Sequence, residues 1–255
     1  MENNKNYKTL VWDRELLEKF WDYESQFPKN YFAYYGSDEI VKRLKQLVPL
    51  GSHIVDYGGG AGLMTEALLD AGFRVSFADH SPRSIVEVTR KYKDRPGFLG
   101  AYHVDDLNPL ESSADVVIMI ELIEHLYDEP LNLAVQQAGK MLGPSGKIFI
   151  TTPNDEGLDE GQIYCPQCDH VRHQWQHVRK WDSDSLKKFL IEKNFDVESI
   201  DAVHMLDNIK TRGTLRLLIN KFKKFVKIVT SSKPARLVAV ATKNRQCALK
   251  TEKVF

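Results

Sequence analysis

Short strand-like runs recur along the chain at 54–56, 75–78, 98–102, 116–120 and 147–151. Between them the apolar positions switch to helical spacing, at 64–71, 82–91 and 131–142. Strands alternating with helices predict a parallel sheet covered by helices on both faces. Upstream, 38–47 reads as an amphipathic helix leading to Pro49. Downstream, 183–193 predicts a further helix, 195–200 a sixth strand and 236–242 a last one, with no obvious crossover between these two strands. Gly143-Pro144-Ser145-Gly146 marks a turn ahead of the fifth strand. From Thr9 to Tyr35 the chain is rich in aromatic residues, with helical stretches interrupted at Pro28, and these rings suit packing against the sheet.

The first strand, Ile54-Val55-Asp56-Tyr57, runs directly into Gly58-Gly59-Gly60-Ala61-Gly62 and then a helix. Glycines there let the backbone approach a nucleotide-like ligand while the helix offers its N-terminus. A second acid, Asp79, ends the next strand roughly 20 residues on, where nucleotide-binding α/β folds place the carboxylate that takes the ribose hydroxyls. The glycine spacing is Asp-x-Gly-x-Gly-x-Gly and not the Gly-x-Gly-x-x-Gly of dinucleotide binders, which disfavours a nicotinamide oxidoreductase.

From about 48 to 195 the chain resembles the class I S-adenosylmethionine-dependent methyltransferases, whose first motif has this form. The resemblance implies an α/β, Rossmann-like fold with a mostly parallel seven-stranded sheet, helices on both faces and an antiparallel last strand. It implies S-adenosylmethionine as cofactor, with Asp56, Gly58, Gly60 and Gly62 around its methionine part, Asp79 at the ribose, and Asp105 and Asp106 near the adenine. The expected organisation is a helical cap at 1–47 that also covers the cofactor, a core at 48–204 carrying a Cys/His loop at 155–180, a basic insertion at 205–232, and a final strand and tail at 233–255.

The fourth strand ends in Glu121-Leu122-Ile123-Glu124-His125. Glu121, Glu124 and His125 at i, i+3 and i+4 share one face of a helical turn, and two carboxylates with an imidazole can hold a divalent cation. The same motif follows this strand in methyltransferases that need no metal, where the His serves as a base. Together with Thr152-Pro153-Asn154 and the His177 to Trp181 spacing, it resembles the metal-dependent small-RNA 3′-terminal 2′-O-methyltransferases. That resemblance implies Glu121, Glu124, His125 and His177 as metal ligands; Mg, Mn, Fe and Zn are all candidate ions, and the sequence does not choose among them. The first two elements also occur in quinone-biosynthesis O-methyltransferases. His125 and His177 are equally the candidate catalytic bases, since an imidazole titrates near neutral pH.

Cys165-Pro166-Gln167-Cys168, followed by His170 and His173, has zinc-knuckle spacing and is a candidate second metal site. Ordinary reduced thiols in a substrate loop are the other reading, and the small-RNA enzymes lack this pair. Between 210 and 229 seven Lys and Arg residues and no acid alternate with apolar positions at helical spacing, which predicts a basic amphipathic helix. Such a helix can cap the site, grip phosphates or lie peripherally on a membrane.

Across 255 residues, 35 Lys and Arg balance 35 Asp and Glu, so overall charge favours neither nucleic acid nor membrane. The sequence offers neither a signal-peptide core nor a transmembrane run, and its three cysteines do not form a secreted disulfide framework; a cytoplasmic protein is expected. The expected function is O-methyl transfer, assisted by a divalent cation, to a hydroxyl of a sugar-containing or lipid-linked small molecule. RNA 2′-O-methylation is the competitor, disfavoured because no RNA-binding module accompanies the basic helix. A non-catalytic cofactor-binding protein is the third reading.

Overall fold

A computed structural model describes residues 7–205 and 234–244. The expected basic helix at 210–229 lies outside the described residues.

The chain opens with a two-residue strand β1 (Lys8–Thr9), helix α1 (Arg14–Glu24) and helix α2 (Phe32–Leu47). The core then alternates: β2 (His53–Tyr57), α3 (Leu63–Asp70), β3 (Arg74–Asp79), α4 (Pro82–Tyr92), β4 (Phe98–His103), β5 (Ala114–Ile120), α5 (Asp128–Met141) and β6 (Leu142–Pro153). A hairpin of β7 (Gln162–Cys165) and β8 (His170–His173) follows, then α6 (Ser183–Glu192), β9 (Phe195–Val203) and β10 (Arg236–Lys243).

Seven strands form one sheet in the order β4-β3-β2-β5-β6-β10-β9. All neighbours are parallel except β10, which runs antiparallel to both β6 and β9. Every residue of β2 is buried, as befits a strand covered on both faces. Because side chains alternate across the pleat, Ile54, Val116 and Ile118 pack with Ile40, Leu44, Leu68 and Tyr92 of α2, α3 and α4 on one face. Val55, Val117 and Met119 pack with Leu131, Val135, Leu186 and Leu190 of α5 and α6 on the other. The chain leaves β2 toward β3 on one side and returns through β5 on the other. That reversal opens a crevice at the carboxyl edge of β2 and β5, where open α/β sheets bind ligands.

The structure departs from the sequence reading in three places. The 155–180 stretch, expected as a loop, contains the β7–β8 hairpin, to which β1 adds as a parallel strand at Lys8 and Thr9. Helix α2 begins at Phe32, not at 38. Residues 143–146, read as a turn, belong to the head of β6, whose register against β5 shifts between Ala114 and Val116.

Candidate active site

After β2 the backbone turns through Gly58 (φ 72°), Gly60 (φ 53°) and Gly62 (φ 71°), left-handed conformations that glycine adopts without strain. The loop is stitched to β3: Gly58 N donates to Ala78 O at 2.7 Å and Gly60 N to Asp79 Oδ2 at 2.9 Å, while Ser81 N donates to Asp79 Oδ1 at 2.8 Å. A Cβ on Gly59 would stand 2.5 Å from the Phe77 ring and 2.7 Å from Asp56 Oδ2, so the chain comes too close here for any side chain. Asp56 accepts the Thr65 hydroxyl at 2.7 Å, and burial pushes its carboxyl up to about 6. Asp56, Gly58, Gly59, Gly60 and Asp79 line a cavity of about 280 Å³, together with His80, Ser81, Arg83, Trp21 and Tyr31.

Three sequence-expected cofactor residues lie elsewhere. Gly62 does not line the cavity; a Cβ there would meet Val88 at 2.7 Å, so its smallness serves the packing of α3 on α4. Asp105 and Asp106 also lie outside the lining, and the Asp105 side chain projects into solvent beside His103. His80, directly after Asp79, does line the cavity.

The same cavity continues to the end of β5, lined by Glu121, Leu122, Glu124, His125, Glu156, Trp175, His177 and Arg236. The 121–125 stretch is a single tight turn and not a helical one: His125 N bonds Leu122 O at 3.1 Å, and Glu121 takes a left-handed φ of 49°, unusual outside glycine. Glu121 Oε2 lies 2.7 Å from Arg236 Nε of β10, an ion pair without the alignment of a hydrogen bond. Glu124 accepts the Thr152 hydroxyl at 3.0 Å through Oε2. Glu121 Oε1, Glu124 Oε1 and His125 Nδ1 are buried without a hydrogen-bond partner.

Residues 176–178 are pinned to this turn, with Gln176 Nε2 donating to His125 O and Val178 N to Glu124 O, both at 2.9 Å. The His177 ring consequently stands edge-on to His125 at 4.7 Å, and Trp21 of α1 covers His125 from its other side at 4.9 Å. Glu124, His125 and His177 offer donor atoms within 4.8 Å of one another; Glu156, His173 and His177 do the same. Burial raises the Glu124 carboxyl well above its ordinary range, and the nearby Glu121 charge adds to it. Burial also raises Glu121, against the pull of Arg236. Burial, helped by His177, lowers His125 to about 3, so this ring is neutral. Burial pushes Glu156 up, but its bond to His177 and the neighbouring positive charges outweigh that and hold it below the usual carboxylate range.

A family model described as a methyltransferase domain matches residues 29–200. The chain is a class I S-adenosylmethionine-dependent methyltransferase. Among its curated relatives are the ubiquinone biosynthesis O-methyltransferases of Xanthomonas axonopodis (27% identical over 60% of this chain and 67% of that one) and Methylocella silvestris (35% over 41% of each). That of Coxiella burnetii is 30% identical over 45% of this chain and 49% of its own. The methyltransferase thus spans two thirds of the first relative and less than half of the other two. Its fold is shared with the Burkholderia thailandensis 1,6-didemethyltoxoflavin-N1-methyltransferase, solved with S-adenosylhomocysteine, at a TM-score of 0.59, 15% identity and 92% coverage of both chains. An S-adenosylmethionine-dependent methyltransferase of Clostridium acetobutylicum matches at 0.59, with 12% identity over 89% of this chain and 99% of that one.

The methyltransferase's own residues fit that cofactor. Gly58, Gly59 and Gly60 bring bare backbone to the cavity wall, and close packing of Gly59 on Phe77 and Asp56 holds the loop there. Each Asp79 oxygen takes a single backbone N–H, which leaves acceptor capacity for a ribose diol.

The Cys/His cluster does not close as expected. Cys165 and Cys168 are exposed at the tip of the β7–β8 hairpin, where Cys165 pairs with His170. Hydrogen bonds from Cys168 and from the Gln167 backbone hold the Cys165 thiol below its usual range. His173 pairs with Gln162 at the other end of the hairpin, buried and stacked on His177 at 4.4 Å. Antiparallel register therefore assigns His173 to the active site and leaves the thiols, among the described residues, without a three-donor set. Glu156, Arg236, Gln176 and Trp21 were not singled out as site residues by sequence. Among the described residues no helix is long and apolar enough to cross a membrane.

Proposed function

We propose that this methyltransferase is a cytoplasmic, cation-assisted O-methyltransferase acting on a hydroxyl of a sugar-containing or lipid-linked small molecule. The observation that carries the reading is the convergence of Glu124, His125 and His177 on the cavity that Gly58, Gly60 and Asp79 also line. Donor atoms buried without partners suit a cation better than they suit an empty core, because an unpaired buried polar atom is costly. The O-methyltransferase names of the Xanthomonas, Methylocella and Coxiella relatives support an oxygen acceptor.

In this reading S-adenosylmethionine supplies an electrophilic methyl group. Glu124, His125 and His177, with Glu121 beside them, would hold a divalent cation, which would supply the Lewis acidity that lowers the pKa of an acceptor hydroxyl. The chain does the rest. Arg236 balances the Glu121 charge, Trp21 and Trp175 wall the acceptor side, and helix α1 covers His125 through Trp21. His125, neutral and buried, is a ligand more than a base.

The test is transfer of labelled methyl groups to a panel of vicinal diols, catechols and RNA 3′ ends, with and without chelator. The proposal expects turnover on a diol or catechol small molecule that chelator and His125→Ala abolish. Salt-sensitive transfer to RNA ends instead would establish the RNA reading, and cofactor binding with no turnover on any acceptor the non-catalytic one.

A further inference from the structure

Glu156, His173 and His177 bring three donor atoms within 4.8 Å of one another, which is the arrangement of a metal seat. The hydrogen bonds argue for a different use. His173 Nδ1 accepts the backbone N–H of His177 at 3.2 Å, so the proton of the neutral ring sits on Nε2, and that atom is a donor and not a ligand. Nε2 is buried, has no hydrogen-bond partner, and lies 3.9 Å from Glu156 Oε1. A Cβ on Gly161 would stand 2.1 Å from it, so the glycine makes room for this ring. The other Glu156 oxygen, Oε2, lies against His177 Nδ1. A carboxylate only accepts, so His177 Nδ1 must carry a proton, and the lone pair of the neutral ring is left on Nε2. Without a fixed acceptor at Nδ1, a neutral imidazole exchanges between its two tautomers, and only one of them offers Nε2.

We propose that Glu156 is a positioning residue that fixes the tautomer and orientation of His177, presenting its bare Nε2 to the acceptor site, with the His173 ring stacked behind to hold the pair in place. This rests on the reading that His177 works at the acceptor. Metal-binding imidazoles commonly donate their second ring N–H to a carboxylate, and loss of that carboxylate costs roughly 10–100-fold in metal affinity. Glu156 is suited to the task because its own backbone belongs neither to the glycine loop nor to the 121–125 turn. It follows β6 and reaches His177 across 21 residues of sequence.

The experiment reads the imidazole protons of His177 by nitrogen-15 NMR in metal-free protein in mildly alkaline buffer. Wild type is expected to carry the proton on Nδ1. Glu156→Ala should lose that preference, and Glu156→Gln, whose amide oxygen can still accept, should keep it. In parallel, Mn²⁺ affinity should fall about 10–100-fold in Glu156→Ala, with partial recovery in Glu156→Gln and S-adenosylhomocysteine affinity unchanged. A wild-type ring protonated on Nε2, or a Glu156→Ala protein with unaltered tautomer and Mn²⁺ affinity, overturns the proposal. Absence of Mn²⁺ binding even in wild type would sink the cation part of the proposed function, while the tautomer measurement still decides the role of Glu156.

Discussion

Replacing Asp79 with Asn probes the cradle at the point where folding and ligand binding meet. The carboxylate is buried and accepts two backbone N–H groups, Gly60 N at 2.9 Å on one oxygen and Ser81 N at 2.8 Å on the other. Asn presents one carbonyl oxygen and one NH2, so one of the two backbone donors must face another donor. Hydrogen bonds to charged groups contribute about 1.5–3 kcal/mol each, and losing one should destabilise the fold by about that amount. For a domain of this size that lowers Tm by roughly 2–4 °C per kcal/mol. The reading that Asp79 holds the ribose adds a second loss of similar size on ligand binding, since a charged acceptor becomes a neutral one. By the tenfold per 1.4 kcal/mol rule, S-adenosylhomocysteine should bind about 10- to 150-fold more weakly. Isothermal titration and a thermal melt measure the two losses separately. A variant that melts lower yet binds with wild-type affinity would show that Asp79 shapes the loop without touching the ribose, and unchanged melting would refute the structural argument itself.

Gly59→Ala should cost about 1–3 kcal/mol by overpacking, because its Cβ would press on Phe77 and Asp56, both buried; a wild-type melt would contradict the close approach. Asp56→Asn should change the pH dependence of unfolding in ligand-free protein. The Asp56 carboxyl is raised to about 6 in the fold from 3.8, so its charged form opposes folding above about pH 6, and that cost disappears as pH falls toward 4. Asn carries no such cost, so its stability relative to wild type should be higher by up to about 3 kcal/mol at pH 8 than at pH 4, at 1.36 kcal/mol per unit. Parallel stability profiles across that range would contradict the assignment.

The parallel sheet was legible because its central strands β2, β3 and β5 are short apolar runs buried on both faces, a pattern that survives without knowledge of their neighbours. The glycine loop and Asp79 were legible because one turn and one strand end carry them. The β7–β8 hairpin was not: β7 is exposed along its whole length, so it has no apolar face to write in sequence, and its place depends on pairing with β8, whose other edge takes β1. The start of α2 was hidden by Phe32-Ala33-Tyr34-Tyr35-Gly36, a weak helical text in which Gly36 is needed because a Cβ would strike the Phe32 ring at 2.5 Å. His173 was read with the cysteines because it is near them along the chain, whereas antiparallel pairing sets it at the far end of the hairpin. Arg236 reaches Glu121 only because β10 pairs with β6, where Arg236 stands opposite Pro153. Glu156 lies two residues past Thr152-Pro153-Asn154, but nothing local in sequence connects it to His177. Contacts of that kind come from topology and leave no periodic trace.

The most direct test of the whole account is the content and consequence of the cation. Protein stripped by chelation and titrated with Mn²⁺ in the presence of S-adenosylhomocysteine should bind one ion per chain, lose it in His125→Ala, and regain methyl transfer to a diol or catechol acceptor only when the ion returns. Full turnover in the continued presence of chelator, with no ion bound, would contradict the central claim that Glu124, His125 and His177 serve a metal-held hydroxyl.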